Sequence, residues 1–509
     1  MSFRFSFVGL VHEHLFLSLL LFGGSVLILP GAEDIGDLNR PPAIKPDYVG
    51  ITLPPNIAPL NFFIEEPGRR FRAEVASVHG KGIEVTSRAG SIRIPEAEWH
   101  RLLEQNMGQL LRVTVAVENT NGHWIRFQTI TNSISTDKID GYLAYRRLHP
   151  QFTLFGSGTI GIFQRNIGTF AESPILELKD RTDESGHCIN CHTFLNRSPD
   201  TFTLHLRGAD GKAMLLVRDG QVSKVDLTAG YMSWHPSGRL IAFARNKLAL
   251  FFHSIGETRD VYDANSDLGI YRVDSNKVVS PAPISLPDRQ ENWPMWSADG
   301  RFLYFCSTAG APLERFKEIR YDLNRVSYDL STDAWGQPET LLTAQEAGRS
   351  LVEPRPSPDG RFLLFTMCDY GHFPIYQTNS INCIMDLQTR EHRRMDTNSG
   401  QGETRHCWSS NGRWIVFSSK RLNRFLTRPF FAHINESGVT GKPFVLPQED
   451  PLFYDFFLKT FNVPEFVTGP VSGHFRDLFN AAKGPITLTP GGVPTPGKEQ
   501  TDEAGPARR

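Results

Sequence analysis

The chain has 509 residues, and its 54 basic and 55 acidic side chains leave a formal net charge of -1. This length is sufficient for several domains and a large buried core. The balanced charge excludes an overall electrostatic attraction to nucleic acid or to anionic lipid, so any partner must be recognised locally.

The N-terminus, residues 1-32, is predicted to be a signal peptide or an uncleaved N-terminal anchor. Arg4 precedes an apolar run from Leu15 to Leu29, which is short for a membrane span and typical of a signal-peptide core. The sequence therefore predicts an exported protein, periplasmic or at the cell surface, with membrane association through the N-terminus as the alternative. Residues 33-58 are rich in proline and predict an extended linker.

Residues 59-135 are predicted to form a small β domain, because short β-type segments alternate there with turns. The segments are Phe71 to Val78, Ile83 to Thr86, Leu111 to Val117 and Trp124 to Ile130. Glu96 to Glu104, which follows Pro95, predicts a short helix within this domain.

The segment Cys188-Ile189-Asn190-Cys191-His192 has the spacing at which c-type haem is attached. In this chemistry each thiol forms a thioether with a haem vinyl group, and the adjacent imidazole coordinates the iron as proximal ligand. A redox dithiol and half of a zinc site are the alternatives, but no βαβ context, second Cys-x-x-Cys or paired His-x3-His accompanies the motif. We therefore expect one covalent haem c, held by Cys188, Cys191 and His192.

The motif lies within residues 136-200, a segment with many aromatic residues and few long regular patterns. A haem needs an apolar wall that excludes water, so we expect this segment to be a haem-binding connector. The alternative is that the aromatic side chains only dock the segment onto the rest of the protein.

The second half of the chain contains four copies of one pattern. In each copy arginine follows a turn glycine directly, and phenylalanine follows the same glycine by five positions. The glycines are Gly238, Gly300, Gly360 and Gly412. Each copy predicts a tight turn that leads into a buried strand. The spacing of 52 to 62 residues suits the four-stranded blade of a β-propeller.

These motifs resemble the TolB-like β-propeller repeats. Together with the single upstream Cys-x-x-Cys-His, they make the chain similar to a family of exported bacterial TolB-like proteins that carry one c-type haem. The likeness includes Gly141 to Arg146, Gly161 to Asn166, Asn190 to Phe194 and Phe453 to Lys459. The resemblance implies an all-β fold, with a C-terminal propeller of about six blades over residues 201-483, export and a covalent haem. It implies no settled reaction. Residues 484-509, rich in proline and glycine, predict a disordered tail.

A second strong ligand on the distal side of the iron would favour electron transfer, whereas an open position would permit small-ligand chemistry. His205 follows the motif shortly and is the first candidate, although an ordinary strand histidine explains it equally well. Weaker candidates, each also explained by packing or loop polarity, are Met214, Met367, His372 and His406.

Loops that leave equivalent strands of successive blades emerge on the same rim of a propeller. The residues that such loops contribute here are His253, Asp369, Tyr370, His372, Lys420 and Arg421. This mixture of basic, aromatic and imidazole groups predicts a partner-binding rim, and a solvated loop surface is the alternative.

Four further cysteines, Cys306, Cys368, Cys383 and Cys407, are scattered singly and predict small buried side chains. A disulfide between Cys368 and Cys383 is permitted in an oxidising compartment, but the spacing does not establish it.

The leading functional hypothesis is an exported single-haem c-type cytochrome that exchanges electrons with an unidentified redox partner protein or small electron carrier. The second is a TolB-like module that binds a protein or glycan and carries a structural or sensory haem. The third is a haem enzyme with an open distal site. A propeller-borne peptidase is disfavoured because no Gly-x-Ser-x-Gly elbow occurs, and zinc-hydrolase chemistry because no His-Glu-x-x-His occurs.

Overall fold

The structure is a computed structural model that describes residues 35–149, 158–180, 188–208, 211–251 and 260–492. The described chain is mostly β-strand, as the sequence predicted. The predicted signal segment 1-32 and the predicted rim residue His253 lie outside the described residues.

The N-terminal part consists of two β-sheets and one helix, over residues that include the predicted small β domain. Its elements are β1 (Ile35–Leu38), β2 (Ile44–Lys45), β3 (Thr52–Leu53), β4 (Phe62–Ile64), β5 (Arg70–Ala76), β6 (Ile83–Ser87), β7 (Ser91–Ile92), α1 (Glu96–Gln105), β8 (Leu110–Glu118), β9 (Trp124–Phe127) and β10 (Ile130–Ile134). Seven strands share one sheet, and β2, β4 and β7 form a second. The predicted helix is confirmed as α1, which buries Trp99, Leu102 and Leu103 against the sheet.

The structure differs from the predicted linker over residues 33-58. Strands β1 and β3 pair with β9 and β10 in the large sheet, and Tyr48, Ile51 and Leu53 are at most 2% exposed. The proline-rich composition suggested an extended chain without partners. The apolar residues between the prolines instead supply part of the core of the β domain.

The remainder of the chain forms six antiparallel sheets, numbered I to VI in chain order. Sheet I begins with β11 (Tyr142–Leu148), β12 (Gly158–Asn166) and β13 (Glu172–Asp180). Sheet II contains β14 (Cys188–Phe194), β15 (Phe202–Gly208), β16 (Gly211–Arg218) and β17 (Gln221–Val225). Sheet III contains β18 (Gly230–Trp234), β19 (Leu240–Phe251), β20 (Asp260–Arg272) and β21 (Lys277–Val279).

Sheet IV has five strands: β22 (Gln290–Trp296), β23 (Phe302–Thr308), β24 (Asp322–Asp329), β25 (Ala334–Trp335) and β26 (Glu339–Leu342). The short helix α2 (Ala344–Ala347) leads into sheet V, which contains β27 (Ser350–Pro356), β28 (Phe362–Cys368), β29 (Ile381–Asp386) and β30 (His392–Arg394). Sheet VI contains β31 (Glu403–Trp408), β32 (Trp414–Ser419), β33 (Arg428–His433) and β34 (Phe444–Val445). The chain continues through α3 (Phe453–Phe456), β35 (Thr460–Val467) and α4 (Phe475–Lys483).

Strand β35 returns to sheet I and pairs antiparallel with β11, so strands from distant parts of the chain complete one sheet. Six inner strands, β14, β18, β22, β27, β31 and β35, contact one another in this closed circular order, with β35 beside β31 and β14. Radial sheets around a common axis are the arrangement of a β-propeller.

The predicted connector over residues 136-200 is therefore not a separate module. It supplies three strands of sheet I and the inner strand of sheet II. The turn-glycine pattern of the later sheets is missing from it, and its pairing partner β35 lies about three hundred residues further along the chain. A local sequence pattern cannot reveal such a pairing.

The four repeated glycines are confirmed as tight turns, with φ between 67° and 74°. The phenylalanines that follow them, Phe243, Phe305, Phe365 and Phe417, are at most 1% exposed and fill the core. Each turn therefore leads directly into the buried second strand of its sheet.

The predicted disordered tail is wrong for residues 484–492. The amide of Thr487 donates to the carbonyl of Lys224 at 2.8 Å, and the amide of Gly491 donates to the carbonyl of Asn276 at 2.9 Å. These hydrogen bonds fix the segment along the outer strands of sheets II and III, which composition alone did not indicate. The rest of the tail, 493–509, lies outside the described residues.

Phe365→Ala is expected to lower the free energy of unfolding by about 3–5 kcal/mol, because it removes a fully buried ring and leaves a cavity. Phe456, which is 77% exposed, supplies the matched control, and Phe456→Ala is expected to stay within about 0.5 kcal/mol of the parent. Urea unfolding followed by tryptophan fluorescence measures both. Equal losses in the two variants would contradict the packing described above.

Candidate functional site

Each inner strand carries a register irregularity at the same level of the ring. At this level five non-glycine residues adopt positive φ angles between 48° and 58°. They are Tyr231, Trp293, Glu353, Arg405 and Val463. Such conformations cost on the order of 1–3 kcal/mol each and concentrate at functional sites. These bulges form a strained collar around the axis.

The Cys-x-x-Cys-His segment lies in this collar. Its backbone is strand β14, in which Cys188 is opposite Arg207 and His192 is opposite Leu204. The register shifts between Ile189 and His192, so Cys191 lies in the bulge. The side chains of Cys188 and Cys191 lie outside the described side chains. The segment is therefore part of an extended inner strand.

The imidazole of His192 is buried, and neither ring nitrogen has a hydrogen-bond partner among the described residues. Burial lowers the pKa of His192 to about 3, so the ring is neutral at physiological pH. Its Nε2 lies 4.0 Å from Oε2 of Glu465, while Oε1 of Glu465 accepts a hydrogen bond from the amide of Phe194 at 3.2 Å. Burial raises the pKa of Glu465. A neutral imidazole with an unused lone pair is suited to bind a metal.

His192 lines a cavity of about 40 Å³ to which all six inner strands contribute, hereafter the His192 cavity. One wall is aromatic, because the rings of Tyr231 and Trp293 lie 3.8 Å apart between centroids. The guanidinium carbon of Arg405 lies 4.3 Å from the centre of the Trp293 ring, and its Nε lies 3.1 Å from Oε1 of Glu353. The cavity thus combines an imidazole, an aromatic face and a compensated charge.

His205, the first distal-ligand candidate, lies on β15 opposite Met214. It is 1% exposed, both of its ring nitrogens lack a hydrogen-bond partner among the residues that the structure describes, and burial lowers its pKa to about 3. Because Leu204 is the residue opposite His192, His205 projects from the other face of sheet II. It is not among the described residues that line the His192 cavity. Its assignment as an iron ligand remains a prediction.

The weaker candidates occupy different places. Met214 and Met367 are buried within strands β16 and β28, and His372 is buried in the loop that follows β28. His406 lines the His192 cavity, and its Nδ1 lies 3.3 Å from Oδ1 of Asn382 on β29. Of these four side chains, His406 alone shares a cavity with His192 within the described part of the chain.

The predicted rim residues follow β28 and β32, at the edge where the inner strands begin. Asp369 accepts a hydrogen bond from Arg349 at 2.8 Å, and the hydroxyl of Tyr370 donates to Asp260 at 2.6 Å. His372 is 1% exposed, and its carbonyl accepts from the indole of Trp293 at 3.0 Å. Its imidazole belongs to the interior and not to a solvated rim.

The basic pair of the predicted rim is also withdrawn from solvent. Lys420 is 2% exposed. Arg421 donates to the carbonyl of Thr397 at 2.6 Å and to Glu403 at 3.2 Å. Lysine and arginine side chains are usually exposed, so the sequence predicted solvent-exposed charges here. The packing of neighbouring loops buries them instead. The prediction of an open binding rim therefore finds no support in these side chains.

Sequence reasoning missed the collar residues, above all Trp293 and Arg405, and it missed Glu465. Trp293 and Arg405 share a positional signal, because each lies three residues before the tryptophan that ends its inner strand. That signal becomes interpretable only once the inner strands are known to surround one axis.

The four single cysteines are buried and unbridged, as predicted for small packing residues, and Cys368 and Cys383 form no disulfide. Within the described ranges, no cluster of three or more His, Cys, Asp or Glu side chains has the geometry of a metal site. No described helix is both long and apolar enough to cross a membrane.

No family model matches the sequence, and no curated protein matches it. Among solved structures, hydrazine synthase of Kuenenia stuttgartiensis is 14% identical, with a TM-score of 0.31 over 49% of this chain and 64% of that chain. Prolyl oligopeptidase B from Galerina marginata is 10% identical, with a TM-score of 0.33 over 56% and 41%. An oligogalacturonate lyase in complex with manganese is 11% identical, with a TM-score of 0.30 over 73% and 99%. The chain spans less than two thirds of the first two proteins, and scores this low carry no argument about function.

Lys420→Met is expected to raise the free energy of unfolding at pH 7 by about 3 kcal/mol, because burial lowers the pKa of Lys420 from 10.5 to about 8. The folded state disfavours the charged amine, so this cost grows as the pH falls from 10.5 through 8 and is complete at pH 7. Urea unfolding at several pH values measures it. Lys442→Met, at a 41% exposed lysine paired with Asp47, is the control and should change stability by less than about 1 kcal/mol. If the free energy of unfolding varied with pH in Lys420→Met as it does in the parent, the lowered pKa of Lys420 would be refuted.

Proposed function

We propose that this protein is an exported c-type cytochrome with one covalent haem, carried on a six-bladed β-propeller, that transfers electrons to or from a partner. The proposal is carried by the position of the motif. Cys188 to His192 lie on an inner strand. The neutral, buried imidazole of His192 lines a central cavity and has no hydrogen-bond partner in the described part of the chain. An imidazole in this state is available for iron.

The residues around His192 fit a haem in chemistry. Cys188 and Cys191 would form the thioethers, and His192 would supply the proximal nitrogen. When bound, the haem would supply one-electron chemistry between two iron oxidation states.

The chain's own residues set the conditions around that group. The paired rings of Tyr231 and Trp293 present an apolar face and exclude water from part of the cavity. Oε2 of Glu465 lies 4.0 Å from Nε2 of His192, too far for a hydrogen bond, so this carboxyl would act on the site through its polarity and, when ionised, its charge. Both effects act on the reduction potential of a haem.

Sheets I to VI would be the six blades, and the pairing of β35 with β11 would close the propeller. Covalent haem attachment takes place outside the cytoplasm, so the apolar segment within residues 1-32 supports export to the periplasm or cell surface. Whether that segment is cleaved or retained decides between a soluble and an anchored protein.

A second candidate function is a protein-binding module in which the haem has a structural or sensory role. Exposed apolar side chains favour it: Phe425 is 59% exposed, Phe456 is 77% exposed and Leu458 is 70% exposed. The segments that carry them are tied together, because Arg428 donates to the carbonyl of Phe457 at 2.5 Å. A redox partner or another protein would dock on the same surface, so the two candidates differ in whether the haem changes oxidation state during binding.

Cys188→Ala and Cys191→Ala are each expected to reduce covalent haem incorporation strongly, and the double variant to abolish it. The protein is produced in a host with c-type haem maturation and analysed by intact mass and by the pyridine haemochrome spectrum. Cys407→Ala, at a buried cysteine outside the motif, is the control and should retain the haem. Parent protein without added mass and without a haemochrome would sink the proposal.

Reduced protein is expected to react slowly or not at all with carbon monoxide if two protein ligands hold the iron, as electron transfer favours. Rapid binding would favour the alternative of a haem enzyme with an open site. Visible spectra of His205→Ala and His406→Ala identify the second ligand, because its loss alters the low-spin bands. The variant whose bands do not change is removed from consideration.

A further inference from the structure

Met295 and Arg355 line the His192 cavity and also a second cavity. The two residues therefore form a layer that separates the two cavities. The volume of the second cavity is about 130 Å³. Pro236, Ala298 and Pro358 also line it, and they belong to the turns that follow the inner strands. This cavity, hereafter the tryptophan cavity, therefore lies at the opposite end of the axis from the rim discussed above.

Three tryptophans occupy equivalent positions on inner strands and line this cavity: Trp234, Trp296 and Trp408. The indole of Trp408 donates to the carbonyl of Arg355 at 3.0 Å. The indole nitrogens of Trp234 and Trp296 are buried and have no hydrogen-bond partner among the described residues. Buried donors are normally satisfied, so two unused indole donors at one cavity indicate that an acceptor belongs there.

The charges at the cavity point to the same kind of acceptor. Nη1 of Arg355 has Met295 Sδ at 4.0 Å as its neighbour, and Arg197 uses its Nε to donate to the carbonyl of Trp408 at 3.1 Å. Neither guanidinium has a carboxylate within ion-pair distance in the described part of the chain. Glu465 is the one acidic residue that lines the cavity, and its Oε1 is already used by the amide of Phe194. The lining thus carries an excess of positive charge and of donors.

We propose that the tryptophan cavity binds the carboxylate group of a small organic acid. Arg355 would meet the carboxylate as a planar fork, the geometry in which guanidinium groups bind carboxylates. Arg197 would add positive charge, and the indoles of Trp234 and Trp296 would donate to the acid's oxygens. The aromatic rings and the turn prolines would contact its apolar body.

The carboxylate has two sources. One is a free organic acid that enters from the turn end of the channel, and the other is a propionate of the proposed haem, which Arg355 would reach from the His192 cavity. The binding chemistry is the same for both, and the proposal itself does not require the haem.

The test uses full-length Cys188→Ala/Cys191→Ala protein, which has no attached haem, with benzoate as the probe. Isothermal titration should show binding of benzoate at least tenfold tighter than binding of neutral benzamide, which has the same shape without the charge. Arg355→Gln is expected to weaken benzoate binding at least tenfold, because it removes the charged fork. Arg301→Gln, at an arginine 76% exposed beside a neighbouring turn, is the matched control and should leave the affinity unchanged.

Trp234→Phe provides an independent test that keeps the ring and removes only the indole donor. It is expected to weaken benzoate binding several-fold, and thermal melting of each variant verifies that it folds. Equal affinity for benzoate and benzamide, no detectable benzoate binding, or full affinity in folded Arg355→Gln or Trp234→Phe would overturn the proposal.

The haem-loaded parent separates the two sources. If it binds benzoate like the haem-free protein, the site serves a free organic acid. If the haem-free protein binds benzoate and the haem-loaded parent does not, a propionate occupies the same donors. A protein that never acquires haem but binds benzoate through Arg355 would refute the cytochrome and retain the carboxylate site.

Discussion

The pairing of β35 with β11 is the interaction on which the remaining architecture depends. It joins Tyr142 to Val467 and Leu148 to Thr460 in one antiparallel ladder, so a strand near the C-terminus completes the first of the six sheets. Because the inner strands then form a closed ring, their irregular segments face a shared axis. Without this long-range ladder sheet I would lack its inner strand, and both central cavities would open to solvent on that side.

The closed ring of inner strands holds the collar residues in their positive-φ conformations. Glu353 shows how, because its Oε2 accepts hydrogen bonds from the hydroxyls of Thr366 and Thr404 and from the amide of Arg405. These donors come from β28 and β31, so one buried carboxylate links the inner strand of sheet V to its second strand and to sheet VI. A buried charge is tolerated when it is paired and fully hydrogen-bonded. The same network holds the Arg405 guanidinium over Trp293, and it thereby defines one wall of the His192 cavity.

The axis is divided into two chambers of different character. The His192 cavity contains a neutral imidazole, an aromatic face and a guanidinium whose charge is balanced by Glu353. The tryptophan cavity contains indole donors and two guanidinium groups that have no carboxylate within ion-pair distance among the described residues. Met295 and Arg355 separate the two cavities, so a substitution at either residue would alter the lining of both. A propeller thus offers two distinct chemical environments within a single channel.

The local features of the structure could be predicted from the sequence. The Cys-x-x-Cys-His spacing, the four turn glycines and the helix after Pro95 follow from residues that are neighbours in the chain, and the structure has the turns and the helix where they were expected. The buried strands that contain Phe243 and its equivalents could be predicted too, because the fixed distance of each phenylalanine from its turn glycine is a short-range pattern.

The positions of these features relative to one another depend on tertiary packing. Residues 136-200 supply three strands of sheet I and the inner strand of sheet II. Sheet I is completed by β35, which comes from the far end of the chain. His192 is neutral, and Lys420 is withdrawn from solvent, because neighbouring sheets and loops bury them. Burial and pairing between distant segments depend on three-dimensional packing, and no spacing of residues along the chain encodes them directly.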